Sequence, residues 1–345
     1  MRWVRGVLVL GVAGVLVGVS PVAASAVAGR GPCPATAFVP NWYSGTVSVI
    51  DVRTRTTEPD IVVGSKPSVS VLTPDGKTLF VTDRDRGTVS VIDVRTRTKD
   101  SNDIVVGSLP IAPGVTPDGK TVFVANYGSG TVSAIDVKTR TKDPNDIAVG
   151  SGPVGAAVAP DGKTVYVPNS GSGTLSAIDV KTRTKHRTDI PVGEMPVGGA
   201  ITPDGKTGFV VNNGSGTVSA IDVKTKHRTD IPVGSGAWTM AVTPDSKTAF
   251  VANFGPFSSA TLPTPESIGT VSAIDVKTKT KDPTDITVGA QPISLTVTPD
   301  GKTLLVANYG SDTVSTIDVK TRIKDATDIP VGAAPGAVSV TPCRR

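Results

Sequence analysis

One turn sequence recurs along this 345-residue chain and constrains its fold more than any other feature. Thr-Pro-Asp-Gly, or a close variant, places Asp75, Asp118, Asp161, Asp204, Asp245 and Asp300 at intervals of 43, 43, 43, 41 and 55 residues. A fixed period of about forty residues marks a repeat architecture, which overrides the two-domain expectation that length alone would set.

A full unit, residues 115–157, contains four short strand signals separated by turn residues. The first ends at the Pro-Asp-Gly turn, where proline presets φ and glycine tolerates the tight geometry after it. The second is expected at residues 121–126 and the third at 131–137, joined by a Gly-Ser-Gly loop. A charged stretch, 138–145, leads to a fourth at 146–149. The third strand is apolar or small on both faces, with Val132 and Ala134 on one and Ile135 and Val137 on the other. A sheet of such strands packs on both sides, which a closed ring of blades allows. Aromatic residues make up only 4% of the chain, so valine, isoleucine and alanine must fill the core.

Second-strand equivalents end at Asn41, Asp83, Asn126, Asn169, Asn212, Asn253 and Asn308, which makes seven. The first lacks a preceding strand of its own, and the strand at 336–342 lacks a successor. The expected fold is therefore all-β: a seven-bladed β-propeller of four-stranded antiparallel blades, closed by a blade shared between the chain ends. Blade repeats are expected to start near 33, 71, 115, 158, 201, 242 and 297. Closure in this way leaves no open edge. The seven tetrapeptides, such as Phe80-Val81-Thr82-Asp83 and Phe209-Val210-Val211-Asn212, approximate Tyr-Val-Thr-Asn. In this the chain resembles the YVTN-repeat β-propeller family over about residues 33–343. The resemblance implies fold and little about activity, since relatives include periplasmic and surface proteins of binding or unknown role. More distant propellers include lactonases and haem- or quinone-dependent enzymes.

Residues 1–26 read as a signal peptide, with Arg2 and Arg5 ahead of an apolar run at 6–19 and an Ala24-Ser25-Ala26 cleavage pattern. Residues 27–345 then form a single domain, expected to be secreted and monomeric, with no membrane span after cleavage; retention as a signal anchor is the rival reading. Cys33 lies 42 residues before Asp75 and Cys343 lies 43 after Asp300, so both fall on the same turn of the shared blade. A disulfide between them is expected in an oxidising compartment. The net charge of +5, reduced by loss of Arg2 and Arg5, is too small for a dedicated nucleic-acid protein.

Residues that depart from the repeat are free of the scaffold's demands and are the candidates for function. On the face formed by second-to-third-strand loops and blade-to-blade loops these are Trp42, Tyr43, Arg84, Asp85, Arg86, Glu194, Trp238, Met240 and Gln291, with Lys66 and Met195 beside them. They suit a contact surface for a protein or cell-surface ligand, with aromatic anchors and a few charges. A twelve-residue insertion in blade six, within 254–268, carries Phe257 and Glu266 on the same face.

No catalytic triad, nucleophilic cysteine, phosphate loop or haem-attachment motif is present, and neither a cofactor nor a metal is expected. The alternative is a lactonase- or lyase-like enzyme at the same face, with Asp83, Asp85 and Glu194 converging. His186 and His227 stand in Lys-His-Arg contexts that disfavour metal binding. A third reading is an anionic-polymer binder on the basic rim of blades four and five: Lys181, Arg183, Lys185 and Arg187, then Lys224, Lys226 and Arg228.

Overall fold

The computed structural model describes residues 35–255 and 268–342. Cys33, Cys343, Phe257, Glu266 and the signal segment lie outside the described residues. Seven antiparallel sheets are arranged as the blades of a propeller, and the described residues contain no helix.

Blade three shows how the repeat makes its strands. Pro110–Val115 runs along the channel, with Thr121–Asn126 and then Thr131–Asp136 further outward. The outer edge is split into Thr141–Lys142 and Ile147–Ala148, which pair with the two ends of the third strand. The Thr-Pro-Asp-Gly turn is closed by side chains: Thr116 Oγ1 donates to Asp118 Oδ1 at 2.6 Å and accepts from the Thr121 amide at 3.1 Å. At the far end of the third strand, Asp136 Oδ1 accepts the Thr139 amide at 2.7 Å. These short polar caps recur in other blades and explain why so many aspartates sit at fixed register.

Blades begin earlier than the turn spacing implies. Inner strands start at Pro67, Pro110, Pro196, Ala237 and Pro292, four or five residues before the expected starts at 71, 115, 201, 242 and 297. Proline reads as a strand breaker, yet it is accepted as the first residue of a strand.

The chain ends share blade one. Ser339–Val340 pairs with Thr36–Asn41, which pairs onward with Thr46–Asp51 and Thr56–Val62. An isolated bridge between Asn41 and Pro335 extends the closing strand. Each blade packs on the next through an apolar layer, for example Phe80, Val89 and Val91 of blade two against Val115, Val122 and Ile135 of blade three.

Two polar devices fasten the seams. The asparagine ending the second strand is buried and donates to a serine of the third strand, as Asn126 Nδ2 does to Ser133 Oγ at 2.9 Å. Its carbonyl oxygen accepts the amide of Gly107 from the previous blade at 3.2 Å. On the opposite face, cations reach back to the preceding blade. Arg55 pairs with Asp325 at 2.6 Å, Arg183 with Asp143 at 2.8 Å and Arg322 with Asp282 at 2.7 Å; Arg97 with Glu58 and Arg140 with Asp100 complete five seams.

Candidate functional site

The residue after each second strand sits at the channel mouth, because its amide is tied to the loop that starts an inner strand. Trp42 N–H donates to the Ala334 carbonyl at 3.0 Å, Tyr127 to Leu109 at 3.0 Å, Asn213 to Met195 at 3.0 Å and Tyr309 to Gln291 at 3.0 Å. Around the ring this position reads Trp42, Arg84, Tyr127, Ser170, Asn213, Phe254 and Tyr309. Four of the seven are aromatic in a chain with 4% aromatic residues, so the mouth concentrates them.

They form an arc over blades six, seven, one, two and three. Trp238 stacks obliquely on Phe254 with ring centroids 5.6 Å apart. Tyr309 lies 6.4 Å from Tyr43 across the closing seam, and their hydroxyls are 3.4 Å apart. Trp42 then receives two cations: Arg84 Cζ is 5.7 Å and Lys66 Nζ 5.9 Å from its centroid. Tyr127 comes next, packed against the inner-strand cluster of Val69, Ile111, Ala112 and Ala337.

Arg84 is the unusual member. It is 8% exposed, and no carboxylate among the described residues lies within ion-pairing range of it. Burial pulls its pKa below the ordinary arginine value, and the neighbouring Asp85 and Tyr127 offset only part of that. Asp85 is held by Lys66 Nζ at 2.5 Å. Asp83, buried beside it, accepts from Ser65 Oγ at 3.1 Å and from the Arg86 amide at 3.1 Å. A buried cation with an indole face and only a partly offsetting Asp85, itself held by Lys66, favours an anion arriving from solvent.

Of the sequence candidates, Trp42, Tyr43, Arg84, Asp85 and Arg86 are thus brought together with Lys66 on blades one and two. Glu194 is exposed on the loop entering blade five, tied by its amide to Ser215 Oγ at 2.8 Å. Gln291 sits on the loop entering blade seven in a left-handed conformation, φ 54°. Two candidates lie on a strand rather than on a loop. Trp238 and Met240 are not loop residues but part of the inner strand Ala237–Val242, 8% and 0% exposed. Met240 fills the seam against blade five, because alternate residues of an inner strand point into the neighbouring blade.

Tyr127 and Tyr309 sit in loops of the form Asn-x-Gly-Ser-Gly/Asp, whose second residue passes for filler. Aligning the seven loops as a column reveals the aromatic bias at that one position. Asp83, Asp85 and Glu194 do not assemble a metal site: among the described residues no three acidic, histidine or cysteine side chains converge. On the opposite rim, Lys185 and Arg228 are engaged by Asp189 at 2.7 Å and Asp230 at 2.6 Å, which thins the basic sector of blades four and five.

Comparison with known proteins agrees with this architecture. The profile of the family described as "Lactonase, 7-bladed beta-propeller" matches residues 42–157. A search of curated proteins gives no match. Among solved structures, hydrazine synthase from Kuenenia stuttgartiensis is similar at 25% identity, covering 79% of this chain and 89% of that chain, with a TM-score of 0.69. A candidate 6-phosphogluconolactonase from Bacteroides uniformis shares 18% identity over 89% of this chain and 100% of its own, at a TM-score of 0.72. A protein of unknown function from Desulfotomaculum acetoxidans shares 15% identity over 90% of this chain and 99% of its own, at a TM-score of 0.74. The chain is therefore a seven-bladed propeller, and its residues 42–157, which include the Arg84 cluster, match the profile of the lactonase propeller family.

Proposed function

We propose that this chain is an exported, YVTN-type binding propeller whose channel mouth takes the acidic group of a sugar-like ligand. The observation that carries the reading is Arg84, 8% exposed, facing Trp42 at 5.7 Å and lacking a carboxylate partner among the described residues. A carboxylate or phosphate would neutralise the guanidinium by a forked pair of hydrogen bonds. The arc of Trp42, Tyr43, Tyr127 and Tyr309 would take the carbon face of a pyranose or furanose ring, as aromatic surfaces do in ligand clefts. Such groups occur on acidic cell-surface glycans and on free sugar acids. Titration with glucuronate, read by tryptophan emission, should give a saturable change that glucose does not produce. An identical, non-saturating response to both sugars would refute the reading.

A second reading is lactone hydrolysis at the same mouth, and the lactonase-family match over 42–157 favours it. Arg84 would then hold the acidic substituent of a sugar lactone while water adds to the ring carbonyl. The ring C–O bond opens to a hydroxyl, and the product is a hydroxy acid. Base consumption with 6-phosphogluconolactone above the spontaneous rate, abolished in Arg84→Met, would select this reading over simple binding.

A further inference from the structure

The seam between blades four and five departs from the common pattern at four positions, and three of them, Gly208, Tyr166 and Lys226, line one crevice. It is a shallow crevice, about 460 Å³ when the open solvent in front of it is included, between Tyr166, Leu175 and Ile190 of blade four and Ile201, Val210 and Ile221 of blade five. Its walls are almost wholly apolar, and Lys226 stands on its lining.

Each departure removes something that seals an equivalent seam. The second residue of the second strand normally plugs the gap toward the preceding blade, as Leu79, Val122, Val165 and Leu304 do at 0% exposure. Blade five has Gly208 there, and an added Cβ would meet nothing nearer than the Ile221 carbonyl oxygen at 4.0 Å. At the lower edge, an arginine of the next blade covers the phenylalanine of the preceding one: Arg183 Cζ lies 5.3 Å from Phe123 and Arg322 Cζ 5.3 Å from Phe250. At this seam the pair is Lys226 and Tyr166. The acid that fixes the arginine, Asp143 for Arg183 and Asp282 for Arg322, is replaced by His186, which is exposed.

Lys226 therefore has no carboxylate partner among the described residues, and its ammonium group donates only to the Val223 carbonyl at 2.7 Å. The Tyr166 hydroxyl makes no hydrogen bond within the described protein, and burial raises its pKa. An apolar slot, an uncommitted ammonium and a free phenol hydroxyl specify an occupant with an apolar body and an anionic head. We infer that the crevice between blades four and five is a binding site for a small amphipathic carboxylate. Its apolar chain lies between Tyr166 and Leu175 of blade four and Val210 and Ile221 of blade five, and its carboxylate is on Lys226. The site is separate from the channel mouth and does not depend on the reading of Arg84.

Calorimetric titration with octanoate, using 1-octanol as the uncharged comparison, tests this on the full chain. The wild type should bind octanoate at one site. Gly208→Val restores the side chain found at Val122 and Val165; it should raise the urea midpoint and weaken octanoate binding more than tenfold. Lys226→Met, an exposed change, should weaken octanoate several-fold and leave octanol unchanged, and Arg84→Met should leave both ligands unchanged. The inference is overturned if the wild type takes up no octanoate at millimolar concentration. It also fails if Gly208→Val binds as tightly as the wild type, or if Arg84→Met abolishes the binding.

Discussion

The guanidinium carbon of Arg84 lies 5.7 Å from the centroid of the Trp42 ring, across the seam between the first two blades. This contact gives a buried charge a favourable partner beside the nearby Asp85, and it places both residues where the channel opens.

Removing the indole should therefore be felt at Arg84. A cation over an indole is worth roughly 0.5–2 kcal/mol, depending on desolvation. Trp42→Ala is expected to lower stability within that range, and Trp42→Phe to recover about half of the loss. Emission should shift to the blue in Trp42→Ala when residues 1–26 are absent, because the remaining indole, Trp238, is 8% exposed. Unchanged emission would mean that Trp42 is not the more solvated of the two.

Closure of the ring depends on the approach of Gly332 in the last blade to Asn41 in the first. An added Cβ on Gly332 would lie 2.5 Å from Asn41 Nδ2, well inside contact distance. Gly332→Ala must push the final blade away from the first, and overpacking of this kind costs roughly 1–3 kcal/mol. The urea midpoint should fall accordingly. An unaltered midpoint would show that this seam is looser than the others.

The repeat was legible because each of its signals has a local cause. Thr116 and Asp118 close their turn within six residues, and Asp136 caps its own strand end, so strand ends and blade number can be read from the chain alone. The aromatic mouth was partly legible: Trp42 and Arg84 break the repeat visibly, whereas Tyr127 and Tyr309 occupy a variable slot of an otherwise regular loop. Met240 misled because whether an inner-strand residue faces a loop or a seam is decided by the neighbouring blade, and no local pattern encodes that. The crevice beside Gly208 was hidden for the same reason: its cause is what the blade next to it fails to meet.

Acid sensitivity should arise from the strand-end aspartates. Asp93, Asp136, Asp179, Asp222, Asp275 and Asp318 are held below their ordinary value of about 3.8, first by the backbone amide of the threonine three residues on. A carboxylate whose folded pKa is depressed contributes stability that is complete above its unfolded value. That contribution is lost as pH falls through the folded value. The urea midpoint should hold from pH 7 to about pH 5 and drop below about pH 4. Asp136→Asn should lie below the wild type at neutral pH and converge with it only once pH falls below the depressed folded value, where the carboxyl is protonated in both states. Parallel curves for the two proteins would contradict this assignment.

The shared register of Cys33 and Cys343 supports a disulfide at the closing blade, although both residues lie outside those described structurally. Intact mass of protein folded in an oxidising compartment should be two hydrogens lower before reduction than after. Closing so long a loop would stabilise the ring by at most about 5 kcal/mol. Two alkylatable thiols in protein never exposed to reductant would remove the proposal.

The most direct test of the account is the affinity of the channel mouth for an acidic sugar with and without its buried cation. Calorimetric titration with 6-phosphogluconate should show one site in the wild type and a roughly 10- to 100-fold weaker one in Arg84→Met, as loss of a charge-assisted hydrogen bond requires. Glucose should not bind measurably to either protein. Equal dissociation constants for the wild type and Arg84→Met would contradict the central claim that Arg84 is held at the mouth to receive an anion.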